Sequence, residues 1–178
     1  MLKQVVYPFF FFLLVLSITG CSSGRTPLFE IQNEVDFILP GGLNTIETHV
    51  FVIRDVPSFF RTGLMNNGFS ESDVVSIGAT RATISSSGQV LDFSFMSRVS
   101  IRAISQSDTG LNKEMFFLEN IPLNQSGELR LFSSITELVD ILSEDVFDLE
   151  IRITLRNATP LDLQNKLIFN YAVFDVDN

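Results

Sequence analysis

The ten residues from Phe147 to Arg156 constrain the fold more than any other stretch of the chain. Phe147, Leu149, Ile151, Ile153 and Leu155 are apolar, and Asp148, Glu150, Arg152, Thr154 and Arg156 between them are polar. Side chains alternate across a strand with a period of two, so these letters put one face on a core and the other in water, which a helix cannot do with the same spacing. The pattern recurs at Phe29, Ile31, Val35, Phe37 and Leu39, set against Glu30, Gln32, Glu34 and Asp36. It recurs again from Leu91 to Ala103, through Phe93, Phe95, Val99 and Ile101, with an interruption near Met96 and Ser97 that leaves one bent strand or two.

Between these anchors the chain reads mostly as further strands. Thr48 to Ile53 is apolar in both phases, which predicts a strand interior to its sheet. Val74 to Ser85 is small and β-branched, and its apolar phase slips near Arg81, as a bulge would make it. Met115–Leu118 and Leu129–Phe132 are short strands. Leu167 to Val176 is apolar in both phases and is expected to be central, returning as the second arm of a hairpin after Phe147–Leu155 and the turn at Asn157–Pro160. Three segments break the rhythm. Phe59, Phe60, Leu64 and Met65 have helical spacing within residues 57–68, with Asn66, Asn67 and Gly68 as a stop. Ser70 and Asp73 are spaced as an acidic capping box. Ser134 and Glu137 form a Ser-x-x-Glu capping box that should open a helix with Ile135, Leu138, Val139 and Leu142 as its apolar stripe. The expectation is a mainly β protein: an antiparallel β-sandwich, immunoglobulin-like or transthyretin-like, with one or two short helices. Closure into a barrel is the competing architecture, and local alternation leaves the strand order open.

The first residues follow different rules. Lys3 precedes an apolar run from Val5 to Ile18, interrupted by Pro8 and Ser17, and the small residues Thr19 and Gly20 lead to Cys21. The run falls short of the roughly 20 apolar residues a spanning helix needs and suits the core of an export signal. Ile18, Thr19, Gly20 and Cys21 resemble the lipobox of bacterial lipoproteins, with Ile18 where Leu is most frequent. The resemblance covers the leader alone. It implies cleavage before Cys21, lipidation of its thiol and acylation of the new amino terminus. Ser22, in place of an aspartate that retains such proteins at the inner membrane, implies the outer membrane where the cell has one. Residues 1–20 are then the signal peptide, 21–27 a lipidated start and flexible tether, and 28–178 a single folded domain. One acyl chain holds a protein only marginally, and several on one cysteine hold it firmly.

Removal of the leader leaves 158 residues with 11 basic against 21 acidic side chains, a net charge of −10. Such a surface repels phosphate backbones and anionic head groups, which argues against a nucleic-acid partner and leaves the lipid as the membrane contact. With no cysteine besides Cys21, packing alone must hold the domain.

Residues that carry chemistry are scarce. His49 is the only histidine, so no Ser-His-Asp, Cys-His or His-rich zinc set can be assembled from one chain, and His49 reads as a structural strand residue. Asp108, Thr109 and Gly110 spell an aspartic-protease triplet, but once, in a polar loop, behind Gln106 and Ser107 rather than apolar residues. Glu137, Asp140, Glu144, Asp145, Asp148 and Glu150 offer hard oxygen ligands for calcium without any glycine-hinged loop, and read instead as a solvated helix end and strand face paired with Arg152 and Arg156. Arg98 and Arg102 share a strand face and could grip a carboxylate or phosphate, although cross-strand pairing with those acids explains them with less. Asn157-Ala158-Thr159 matches a glycosylation acceptor but serves, next to Pro160, as a turn. The adjacent pairs Phe59/Phe60 and Phe116/Phe117 must each send one ring away from the other, toward solvent or a second layer.

These observations predict no enzyme, no cofactor, no metal and no catalytic residue, with Cys21 as the lipidation site. The function they favour is a lipid-anchored interaction or scaffold subunit of a bacterial envelope assembly, with an envelope protein as partner. The alternative is a binding module for a lipid or a glycan.

Overall fold

The structure is a computed structural model and describes residues 26–86, 92–108, 110–124 and 127–175. Cys21, the leader before it, Leu91, Thr109 and Val176 lie outside the described residues.

Eight strands follow in chain order: β1 (Phe29–Leu39), β2 (Thr48–Pro57), β3 (Ser76–Ser86), β4 (Met96–Ser105), β5 (Asn112–Glu119), β6 (Glu128–Ser133), β7 (Val146–Leu155) and β8 (Leu163–Phe174). Two short helices, α1 (Phe60–Asn67) and α2 (Val139–Leu142), and two 3-10 turns, Glu71–Asp73 and Phe93–Phe95, interrupt them. Every ladder is antiparallel, in the order β1-β8-β3-β6-β5-β4-β7-β2. The β5–β6 join consists of two pairs, Phe116↔Ser133 and Phe117↔Phe132, and there the sheet folds into two layers, β1-β8-β3-β6 and β5-β4-β7-β2. The expected antiparallel sandwich is therefore the observed architecture. Its connectivity, in which successive strands repeatedly change layer, is that of a jelly roll, and this refines the immunoglobulin-like or transthyretin-like expectation. β1 and β2 end the order and share no ladder among the described residues. Side chains bridge that seam: the Phe37 and Phe51 rings lie 6.4 Å apart, and Asn33 Nδ2 donates to the Pro57 carbonyl at 2.6 Å, so the wrap is nearly closed.

The inward phases of the two layers meet as the alternation requires. Phe147, Leu149, Ile151, Ile153 and Leu155 are buried, as are Leu163, Leu167, Phe169, Tyr171 and Val173 of the opposite layer. Phe169 sits edge-on to both Phe116 and Phe147, at 6.3 and 6.4 Å, an arrangement worth about 0.5–1.5 kcal/mol per pair beyond the area buried. α1 packs over the start of β1 and needs its glycine: a Cβ on Gly63 would lie 2.6 Å from Phe29 Cε2. Gly68, at φ 74°, ends that helix where the sequence places its stop, and the Ser70–Asp73 capping box is formed.

Four expectations are corrected. β2 is an edge strand, not an interior one: among the described residues its only ladder is with β7, and Val50 and Val52 are 49% and 48% exposed. Apolarity in both phases marks a surface it leaves open. β7 and β8 do not form a hairpin, because they lie in opposite layers, β7 between β2 and β4 and β8 between β1 and β3. The turn after β7 crosses the sandwich, clasped by Thr159, whose hydroxyl accepts from the Leu43 N–H at 2.9 Å and donates to the Pro40 carbonyl at 2.6 Å. The alternation at Phe93 and Phe95 is not a strand but a 3-10 turn, which Asp92 opens by accepting from the Ser94 N–H at 2.7 Å. Lastly, the Ser134–Glu137 capping box is absent. Glu137 Oε1 accepts from the Ile77 N–H of β3 at 2.8 Å and from the Leu138 and Val139 N–H groups, so a tertiary bond takes the carboxylate the box would need. The helix shrinks to Val139–Leu142, and Ile135 is left fully exposed.

Candidate binding groove on the β5-β4-β7-β2 face

With Ile101, Ala103, Ile151 and Ile153 buried beneath it, the outward phase of the β5-β4-β7-β2 layer carries polar rows that the registers specify residue by residue. Across the strands from β2 to β5 run Thr48, Thr154, Arg98 and Glu119; then Val50, Arg152, Ser100 and Phe117; then Val52, Glu150, Arg102 and Glu114. A bulge in β5 opposite Ile101/Arg102 keeps Glu114 in the third row. Thr48, Arg98, Ser100, Arg102, Glu114, Arg152 and Thr154 of these rows line a shallow groove of about 180 Å³.

The side chains in it are held from below. Glu150, 8% exposed, accepts from Arg152 Nε at 2.6 Å and lies 4.0 Å from Arg102 Nε. Arg102 is fixed a second time by Asn112, whose side-chain and main-chain oxygens accept from Nε at 2.5 Å and Nη2 at 3.1 Å. Ser100, 5% exposed, donates to Glu114 Oε2 at 2.7 Å. Arg98 Nη2 meets Glu119 at 3.1 Å on the rim, and Thr48 and Thr154 exchange a hydroxyl bond at 3.1 Å. Of the pairing expected with the acidic interval, Arg102 meets Glu150, whereas Arg98 pairs with Glu119 of β5 instead, and the result is a set of anchored arginines beside hydroxyls and acids. What sequence reasoning missed is Arg152 as the third member. Its outward phase on β7 was legible, but its position beside β4 depends on the strand order.

The other candidates lie apart from this groove. His49 faces inward at the edge, its Nε2 2.8 Å from the Asn44 carbonyl. Asp108 is exposed and caps its own turn by accepting from the Gly110 N–H at 3.0 Å. The acidic interval is dispersed: Asp140 pairs with Lys113 at 2.7 Å, Asp145 with Arg61 at 3.1 Å, and Asp148 accepts from Gln106 Nε2 at 2.9 Å. Arg156, expected to pair with an acid, donates instead to the Ile121 carbonyl at 2.6 Å. Glu144 accepts from the Ser105 and Ser107 hydroxyls at 2.6 and 2.5 Å and from the Gln106 N–H at 3.0 Å. Burial pushes its carboxyl up, but those donors together outweigh it and hold the group below its ordinary value. Burial pushes the Tyr171 phenol far above its ordinary value, and its hydroxyl donates to the Ser58 carbonyl in the core. Among the described residues no three His, Cys, Asp or Glu side chains are placed to hold a metal ion, and no helix is long and apolar enough to cross a membrane.

Of the two phenylalanine pairs, Phe60 and Phe116 are buried and Phe59 is half exposed. Phe117 turns outward and meets Phe132 of β6 at 6.2 Å, with Phe132 64% exposed.

No protein-family model matches the chain, and no curated protein is significantly similar to it. Among solved structures, one similar chain is that of the empty head of turnip yellow mosaic virus, at 10% identity and a TM-score of 0.28, covering 91% of this chain and 89% of that one. At that score the likeness carries no argument.

Proposed function

We propose that this chain is a non-catalytic lipoprotein, anchored through Cys21, that serves as an interaction or scaffold subunit of a bacterial envelope assembly. The lipobox-like Ile18-Thr19-Gly20-Cys21 supports the anchor. The observation that carries the interaction role is the aromatic pair Phe117–Phe132 on the outer surface of the β5–β6 fold, flanked on β6 by Glu128 and Arg130. Exposed aromatics rimmed by polar groups make contact surfaces more often than solvated ones. Capture from detergent-solubilised envelope tests the reading. The lipidated chain should retain a protein partner that Phe132→Asp loses, and mass spectrometry of the mature amino-terminal peptide should find a diacylated or triacylated Cys21. An unmodified thiol, or capture indifferent to Phe132, overturns it.

The groove favours a second reading, a binding module for a glycan. Anchored charged and hydroxyl groups in a recess are what polyhydroxy ligands require, whereas a lipid needs a closed apolar cavity.

A further inference from the structure

Deepening the second reading, and resting on it, we infer that the groove selects an acidic saccharide: a sugar ring bearing one carboxylate, as in a uronic acid. Three of the 11 basic residues of a mature chain with net charge −10 converge here, on three neighbouring strand positions. A protein so acidic has no general attraction for anions, so three guanidiniums gathered on one face, balanced by acids at their sides, are a specific feature rather than part of a basic surface.

The anchoring of each arginine decides what it offers. Arg152 is held through Nε, which leaves its terminal nitrogens without a bond to Glu150. Arg102 is held through Nε and Nη2, which leaves Nη1. Arg98 is engaged through Nη2 alone. Guanidinium forks of this kind bind planar carboxylates bidentately, and their fixed orientation lowers the entropy lost on binding. Charge balance sets the ligand's charge. Glu114, Glu119 and Glu150 already offset the three arginines one for one, so a doubly charged phosphate would be repelled by three nearby carboxylates, whereas a single carboxylate can share the forks. The remaining lining groups are those that hydroxyls need: Thr48 and Thr154, bonded to each other, keep one hydroxyl proton to donate, and the Ser100 hydroxyl and Glu114 accept.

The experiment is calorimetric titration of the purified full chain in detergent with three probes: a trimer of glucuronic acid, a trimer of glucose and inorganic phosphate. The glucuronic acid trimer should bind saturably, and the other two at least about tenfold more weakly, the share of one charge-assisted hydrogen-bond pair. Arg98→Gln should weaken uronate binding at least about tenfold, and so should Arg152→Lys, which keeps the charge but loses the fork. Arg98 is half exposed, so its variant folds normally and decides the matter if Arg152→Lys disturbs Glu150. Equal binding of the glucose trimer removes the acidic class and leaves the glycan-module reading standing. Equal binding of phosphate reduces the site to a general anion patch, and no binding of any saccharide overturns both the inference and the reading beneath it.

Discussion

The two outer faces of this sandwich use the same charged residue types to different ends. On the β1-β8-β3-β6 layer the pairs are spread over open strand surface: Lys166 meets Glu34, and Arg81 reaches Glu30 at 3.8 Å, with side chains between 37% and 70% exposed. On the β5-β4-β7-β2 layer Glu150 keeps 11% of its side-chain surface and Arg102 26%, and the arginines are fixed by further acceptors. The first face is a solvated dressing, where pairing and hydration nearly cancel. In the second, desolvation makes each partner depend on the others, which is the condition for a rigid recognition surface. A charge count cannot distinguish them; burial can.

The largest effect that would break this contrast is expected at Glu150. Replacing it with alanine leaves Arg102 and Arg152 facing each other across a half-desolvated floor, and stability in urea should fall by about 2–3 kcal/mol, below the 3–5 kcal/mol of a fully buried pair because Arg152 keeps solvent contact. The Arg98→Gln/Glu119→Gln double variant on the same face, taken from its exposed rim, should cost about 0.5 kcal/mol or less. Equal losses for the two would erase the distinction between floor and rim.

A smaller effect sharpens the comparison at the edge of the layer. Glu144 receives two hydroxyls and one N–H, which hold its folded carboxyl below the unfolded value, so it contributes stability above the unfolded value that is lost as pH falls through the folded one. Glu144→Gln should therefore cost about 1 kcal/mol at pH 7, and its unfolding midpoint should converge with the wild type as pH is lowered below 4. A deficit that persists undiminished in acid would mean that shape, not charge, is what Ser105 and Ser107 recognise.

How much of this was legible beforehand depends on the range of the interaction. Residues 147–155 and 29–39 announced their buried faces because burial on one side imposes a period of two wherever the strand lies. Gly68 and the Ser70–Asp73 box were legible for the same reason: they are satisfied within a few residues. The Ser134–Glu137 box has the same letters and fails because Ile77, 60 residues away, claims the carboxylate. β2 misled in the opposite direction, since Val50 and Val52 look like core and lie on an open edge. The groove belongs to this second class. Arg98 and Arg102 were visible as one face of β4, but Arg152 joins them only through the β4–β7 ladder, which is a property of the jelly-roll order and of no local pattern.

The smallest effect is the most discriminating control on the other face. Lys166 lies between Glu34 and Asp36, and its hydrogen bond to Glu34, with the charges of both carboxylates, holds its ammonium above the ordinary value. That shift is a statement about proximity in water, where salt screens it: raising ionic strength from 0.01 to 1 M shortens the Debye length from about 30 to about 3 Å. Lys166→Ala should leave the urea midpoint within measurement error at 1 M salt, with any small deficit appearing only at 0.01 M. Glu150→Ala should keep most of its deficit at both, because the Glu150 carboxylate retains only 11% of its side-chain surface and is little screened. If the Glu150 deficit is screened as readily as that of Lys166, the floor is wet, its arginines are not preorganised, and the two faces are the same kind of surface.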